Sequence, residues 1–134
     1  MLALRPVPAS NSGLTPRTVA EHLAELRHGG PVDGADRVGQ ASGGERLLVQ
    51  VGLWLDGAGR VARARYRSTT CASLIAYAEA GCALAEGGGH PPSPERLRRA
   101  VRAVHPVHHD RADLVALAFA RAMGAGRLLD PELA

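Results

Sequence analysis

Residues 47–86 read LLVQVGLWLDGAGRVARARYRSTTCASLIAYAEAGCALAE, and this stretch decides the fold. Residues 47–55 are rich in strand formers, and residues 56–59 have the composition of a tight turn. Residues 61–69 then alternate in polarity, as a half-buried strand does. The stretch therefore predicts a β-hairpin.

The second strand of this hairpin carries an arginine face. Its period of two places Arg63, Arg65 and Arg67 on one side. Residues 72–86 follow directly and are dense in good helix formers, and three glycines come after them. We therefore expect a long helix immediately after the hairpin.

Helical signals also lie before the hairpin. Thr15 as cap and Pro16 at the first helical position predict a helix that continues to Gly29. Residues 31–44 are mostly Gly, Asp, Ser and Gln, so they predict a long loop.

Two more helices are predicted near the end of the chain. One begins after the Ser93 cap and continues through Val104, and the last runs from about Asp110 to Gly124. The order of helix, hairpin and three helices predicts an α+β fold: a small antiparallel sheet built on a β-hairpin and packed on one side by several helices.

The length and composition point to one domain. The chain has 134 residues, of which 46% are hydrophobic, enough to build a core without disulfides or metals. We assign the domain to residues 14–126, between a loose leader (residues 1–13) and a C-terminal tail (residues 127–134). No apolar run reaches the length of a signal-peptide core or membrane span, so we expect a cytoplasmic protein with no membrane contact.

The basic residues exclude two classes of enzyme. All sixteen are arginine, so the chain has no lysine for a Walker A phosphate loop or for a pyridoxal-phosphate Schiff base. The net charge of +3 suits a polyanion or an acidic partner, and it fits a bias in composition equally well.

The two cysteines have different surroundings. Cys71 stands where the second strand turns into the long helix, and the unpaired N–H groups and dipole of a helix N-terminus favour a thiolate there. A small residue that merely caps the helix is the alternative. Cys82 lies eleven residues further along the same helix, roughly 16 Å away, and is expected in the core.

Three histidines and a carboxylate precede the last helix. His105, His108, His109 and Asp110 provide nitrogen and oxygen donors that zinc and iron accept. The alternative is that Asp110 caps the helix while the histidines are solvated.

Residues 64–73, ARYRSTTCAS, resemble the corresponding stretch of the IscU/NifU-type iron–sulfur cluster assembly scaffolds. In that family a hairpin leads into a cysteine that begins a long helix of small residues. Residues 106–110, PVHHD, are similar to the Pro-Val-x-x-His-Cys segment before the family's closing helix. The similarity extends over about residues 19–123, and it implies the same α+β fold.

The resemblance also implies metal ligands. The family's second cysteine falls on Cys71, its histidine on His109 and its third cysteine on Asp110, while its first cysteine loop falls close to Glu45. Because only one usable sulfur remains, a cluster with cysteine ligands is disfavoured. A single zinc or iron ion held by Cys71, His109 and Asp110, with Glu45 or His108, satisfies a four-coordinate site.

We therefore carry several functional hypotheses. The first is a non-enzymatic accessory protein of iron–sulfur cluster assembly that binds metal, accepts sulfur at Cys71, or holds a labile cluster together with a partner. That partner is a cysteine desulfurase, another assembly protein or a second copy of the chain. The alternative is an arginine-rich module that binds nucleic acid or an acidic protein without metal, although one Trp, two Tyr and one Phe give few surfaces for base stacking. A metallohydrolase with His108 as base is the third.

Overall fold

The computed structural model describes residues 15–44 and 46–124. In chain order the elements are β1 (Arg17–Thr18), α1 (Val19–Ala24), β2 (Arg37–Gly43), β3 (Leu47–Leu55), β4 (Val61–Ser68), α2 (Ala72–Ala85), α3 (Pro94–Ala100), β5 (Val101–Arg102), a 3-10 turn (Pro106–His108) and α4 (Arg111–Ala122). The predicted leader, the tail and Glu45 lie outside the described residues. Across those that are described, no helix combines the length and the apolarity needed to cross a bilayer.

The central sheet is antiparallel and has the order β2-β3-β4. The predicted hairpin forms its β3 and β4 strands. Val49, Val51 and Leu53 alternate along β3 on the side that faces the helices, and all three are fully buried. The predicted fold class, a small antiparallel sheet packed by several helices, is confirmed.

The loop predicted for residues 31–44 is partly wrong, because β2 occupies its second half. The positions of β2 that face the helices are small, namely Gly39 and Ala41, so the sequence shows no apolar alternation. Gly39 is required there: a Cβ atom would collide with the backbone of Ala118 and Ala122 in α4. The strand is thus specified by close contact with a helix rather than by hydrophobic side chains.

The first helix is shorter than predicted and is capped by a different residue. Thr18 accepts a hydrogen bond from the Glu21 N–H at 3.1 Å, and its own N–H donates to the Glu21 carboxylate at 2.8 Å. This capping box stabilises the N-terminus. The helix ends at Ala24 because the chain then bonds to β4: Tyr66 N–H donates to the His28 carbonyl, and Gly30 N–H donates to the Tyr66 carbonyl, both at 3.0 Å.

Residues 29–36, which we call the crossing segment, pass over the face of the sheet opposite the helices. Val32 is buried against Gly52 of β3, where a Cβ atom would lie 2.7 Å from that of Val32. A side chain at position 52 would therefore displace the crossing segment, which passes over the outer face at Gly52, between the Trp54–Arg63 and Gln50–Arg67 pairs.

The helices α2, α3 and α4 complete the core on the inner face. The long helix predicted after the hairpin is confirmed as α2, and Cys82 within it is fully buried as expected. The Ser93 cap of α3 is also confirmed, since Ser93 Oγ accepts from the Arg96 N–H at 3.1 Å. That helix ends at Ala100, earlier than predicted, because β5 continues the chain as a parallel partner of β1.

Candidate functional site

Cys71 lies at the N-cap position of α2, as the sequence predicts. Its carbonyl accepts a hydrogen bond from the Ile75 N–H at 2.9 Å, which makes it the first residue to take part in the helix. The thiol itself makes no capping hydrogen bond and is half-buried. The sulfur therefore stands at the positive end of the α2 dipole and is accessible to solvent.

The arginine that begins α4 contacts this cysteine. Arg111 donates from Nη1 to Asp110 Oδ1 at 2.8 Å, and its guanidinium lies beside Cys71. The hydrogen bond with Asp110, and after it the neighbouring Cys71, raises the pKa of the Arg111 guanidinium despite its burial. The side chain is 18% exposed, and its Nε atom is buried with no hydrogen-bond partner in the described part of the chain. The guanidinium therefore links the N-termini of α2 and α4.

A second contact connects the same two regions. His108, the last residue of the 3-10 turn, lies with Nδ1 3.0 Å from Ser73 Oγ in the first turn of α2. Ser73 is buried and His108 is half-buried. The turn before α4 is thus fixed against α2 on the side of the helix where Cys71 lies.

The remaining predicted donors are placed differently. His109 is exposed, and its carbonyl accepts from Arg98 Nη1 at 3.3 Å. Asp110 occupies the N-cap position of α4, as the alternative interpretation predicted, but its carboxylate pairs with Arg111 rather than capping the helix. Glu45 lies outside the described residues. Within 15–44 and 46–124, no three His, Cys, Asp or Glu side chains converge closely enough to hold a metal ion.

The turn between β2 and β3 faces this region across an open cavity of about 230 Å³. The lining residues are Gly43, Gly44, Leu47, Asp110, Arg111 and Leu114. The cavity therefore lies between the β2–β3 turn and the start of α4, and no residue of α2 lines it.

Sequence reasoning missed both Arg111 and Ser73. An arginine after PVHHD looks like any other surface arginine, and a serine in a first helical turn is ordinary. The sequence indicates them only by position, since Arg111 directly follows Asp110 and Ser73 lies two residues after Cys71. Their contact with the predicted residues depends on how α2 and α4 pack, which no local pattern encodes.

A buried charged cluster was missed as well. Glu79 in the middle of α2 accepts from the backbone N–H groups of Arg27 (3.1 Å) and His28 (2.8 Å), and from His28 Nδ1 at 3.1 Å. His28 Nε2 lies 3.3 Å from Glu86, which also accepts from Arg65 at 3.3 Å. We call these residues the His28 cluster.

Electrostatics within the His28 cluster favour charged forms. The hydrogen bond with Glu79 raises the pKa of His28 despite its burial, and Glu86 adds to the increase. Burial raises the pKa of Glu79, but the hydrogen bonds from His28 and Arg27 outweigh it, so that the carboxyl pKa lies below its usual value. His28 and Glu79 are buried, whereas Glu86 and Arg65 are each about 30% exposed. The buried pair therefore fixes the chain directly before the crossing segment to α2.

Comparison with known proteins gives no family assignment for this chain. The sequence matches no protein-family model, and no curated protein matches it at a significant level. The functional interpretation therefore depends on the placement of Cys71 and its neighbours.

Proposed function

We propose that this protein is a non-enzymatic accessory protein of iron–sulfur cluster assembly that accepts sulfur at Cys71. The position of half-buried Cys71 at the N-terminus of α2, beside the Arg111 guanidinium, carries the proposal. A positive guanidinium and a helix N-terminus both stabilise a thiolate, and the thiolate is the nucleophilic form of cysteine. The resemblance of residues 64–73 to the scaffold family supports the same assignment.

The chemistry requires one exposed nucleophile and a sulfur donor. The Cys71 thiolate attacks the outer sulfur of a donor persulfide, R–S–SH, and forms a new sulfur–sulfur bond. The original S–S bond breaks, and the donor leaves as the thiolate R–S⁻ while its proton stays on the transferred sulfur. Arg111 lies beside the attacking Cys71 sulfur before the transfer, and the negative charge leaves with the donor thiolate. A cysteine desulfurase in the cytoplasm is the donor that the proposal favours, with an assembly partner or a second copy of the chain as acceptor.

Zinc or iron enters the proposal as cargo. The ligand set implied by the resemblance is Cys71, His109 and Asp110, with Glu45 or His108. Because Arg111 contacts both Cys71 and Asp110, an ion can join these two ligands only after the guanidinium withdraws. The metal-binding form thus requires a rearrangement that sulfur acceptance does not.

Sulfur acceptance is tested by mass spectrometry. Purified protein is treated with a low-molecular-weight persulfide, and the intact mass is compared with that of Cys71→Ser. We expect the wild type to gain one sulfur atom on Cys71 and the variant to gain none. Cys82 is fully buried and provides an internal control. A wild-type protein that gains no sulfur, or that gains it elsewhere, contradicts the proposal.

Arg111→Gln separates sulfur acceptance from metal binding. Loss of the guanidinium should slow sulfur transfer to Cys71, because the thiolate loses its nearest positive charge. The same change should strengthen zinc binding, measured by competition with a chromogenic chelator, because it frees Cys71 and Asp110. Arg99→Gln, which removes an exposed arginine from α3, is the matched control and should change neither quantity. If Arg111→Gln leaves the rate of sulfur transfer unchanged, the proposed role of Arg111 is wrong.

A further inference from the structure

The strand β2 lies at an edge of the central sheet and pairs with β3 on one side only. In β3 the carbonyl of Leu48 accepts from the Thr69 N–H at 3.0 Å, so the even-numbered residues of β3 bond to β4. Because the bonding direction alternates along an antiparallel strand, its odd-numbered residues bond to β2. The β2 residues opposite the even-numbered ones therefore direct their N–H and C=O groups away from the sheet, and they are Val38, Gln40 and Ser42. We call these backbone groups the β2 edge.

The β2 edge is largely unpaired. Arg121 Nη1 donates to the Gln40 carbonyl at 2.9 Å, which agrees with the outward direction of that group. Within residues 15–44 and 46–124, no other hydrogen bond reaches the β2 edge. Proteins usually protect such an edge with charged side chains, proline or a β-bulge, and residues 38–43 contain none of the three. The edge is therefore able to accept a further strand.

The helix α4 forms a wall beside the β2 edge. Leu117 precedes Arg121 by about one turn, so both side chains lie on the side of α4 that flanks the edge. Leu117 is 39% exposed, which is high for a leucine. Arg121 is exposed, as is Arg37 at the start of β2, and neither forms an ion pair with any residue that the structure describes. A segment placed along the edge therefore meets backbone donors and acceptors, apolar surface and positive charge.

We propose that the β2 edge binds an extended segment of a partner protein, which adds to the sheet as a fourth, antiparallel strand. In this mode backbone hydrogen bonds supply affinity, and alternate side chains supply selectivity. The side chains directly opposite Gln40 and its outward-bonding neighbours lie on the outer face of the sheet. The side chains between them point toward α4, where an apolar residue contacts Leu117 and a carboxylate pairs with Arg121. The fitting segment is therefore a strand former that carries apolar and acidic residues on one side.

A second copy of the chain fits this edge less well than such a segment. The helix α4 packs directly beneath β2, since Gly39 leaves room only for the backbone of Ala118 and Ala122. Two copies joined at β2 would place their edge strands about 4.8 Å apart. Their α4 helices would then crowd each other, because packed helices need about 8–10 Å between their axes. The proposal does not involve Cys71, so it stands or fails independently of sulfur acceptance.

A synthetic peptide tests the backbone pairing. The probe is fluorescein-labelled Thr-Val-Thr-Glu-Thr-Val-Thr, and its binding is measured by fluorescence anisotropy at low salt. The control peptide has the same side chains but carries N-methyl groups on its threonines, whose N–H groups would face the β2 edge. We expect the N-methylated peptide to bind at least about tenfold more weakly. Equal binding of the two peptides to the wild-type protein overturns the proposal.

Two variants of one residue locate the binding site. Gln40→Pro removes an outward N–H and leaves the β2–β3 ladder intact, whereas Gln40→Thr keeps the N–H and is the matched control. We expect the proline variant to bind the probe about tenfold more weakly than the threonine variant, with circular dichroism confirming that both are folded. The wild type should also prefer the probe about threefold over its glutamine analogue, and Arg121→Gln should remove this preference.

Three outcomes with these variants overturn the proposal. Equal binding by Gln40→Pro and Gln40→Thr shows that the probe does not add to β2. A preference for glutamate that survives in Arg121→Gln shows that the carboxylate is recognised by another of the arginines. Sedimentation that finds a dimer of Gln40→Thr and a monomer of Gln40→Pro assigns the edge to a second copy of the chain.

Discussion

Replacement of Glu79 by alanine should destabilise the fold more than any exposed substitution, because this carboxylate is a shared acceptor inside the core. It is 4% exposed. It accepts hydrogen bonds from the backbone N–H groups of Arg27 and His28 and from the His28 ring. Burial, and after it the neighbouring Glu79 carboxylate, raises the pKa of the Tyr66 hydroxyl. Truncation to alanine leaves all of these donors without their acceptor.

The magnitude follows from burial and charge. Removal of one partner from a buried ion pair costs about 3–5 kcal/mol, since the other charge remains buried without compensation. A small domain has a total stability of about 5–15 kcal/mol, so this substitution removes a large fraction of it. With a urea m-value of about 2 kcal/mol per M, the unfolding midpoint should fall by about 2 M.

The assay is equilibrium urea unfolding followed by circular dichroism and by Trp54 fluorescence. Glu79→Gln keeps the side-chain volume and one acceptor oxygen, so its midpoint should lie between those of wild type and Glu79→Ala. Glu95→Ala is the control, because its side chain is 68% exposed, and it should shift the midpoint by a small fraction of that amount. A Glu79→Ala midpoint equal to that of the control would refute the assigned role of the His28 cluster.

Further predictions concern pH, packing and thiol access. Neighbouring carboxylates raise the pKa of His28, so its contribution to the free energy of unfolding is fully present below the unfolded-state pKa of about 6.5 and is lost as the pH rises through the folded-state pKa. In His28→Gln, the free energy of unfolding should therefore depend less on pH between pH 6 and 9. An unchanged pH dependence contradicts this prediction. Gly39→Ala should lower the free energy of unfolding, measured with urea, by about 1–3 kcal/mol or more, because the backbone of α4 cannot move away. Gly57→Ala, which has open space around it, should lower it far less. Equal losses of unfolding free energy would show that contact with α4 is not the cause. Iodoacetamide should label the native protein at Cys71 alone. Burial, which also raises the pKa of the Cys82 thiol, should prevent labelling of Cys82 until urea unfolds the chain. Rapid labelling of both thiols disproves the predicted difference.

The sequence predicts the elements whose signals are local. The hairpin follows from alternating strand formers around DGAG, and α2 follows from its run of small helix formers. The placement of Cys71 at their junction comes directly from these two patterns. The caps of α1 and α3 show the limit of the method, since Ser93 has Pro94 after it and was identified, while Thr18 has no proline and was missed in favour of Thr15.

The strand β2 could not be predicted because its determinant is three-dimensional. Gly39 and Ala41 are suited to close packing against α4, and in sequence they look like loop residues. The same reason applies to Glu79, which looks like a solvated residue of a helix. Its partners come from a segment about fifty residues earlier in the chain, and only the packing of α2 against that segment reveals them.

Positive groups lie beside Cys71 without any metal ion. The N-termini of α2 and α4 each contribute about half a positive charge, and Arg111 contributes a full one beside the sulfur and the Asp110 carboxylate. Asp110 is 68% exposed, so water screens much of its charge, although its carboxylate is the hydrogen-bond partner of the guanidinium at 2.8 Å. A divalent metal ion bound by Cys71 and Asp110 would be repelled by the Arg111 guanidinium, which already lies beside both side chains. Sulfur transfer meets no such repulsion, because it brings no cation between Cys71 and Asp110, and this difference is why we place sulfur acceptance ahead of metal binding.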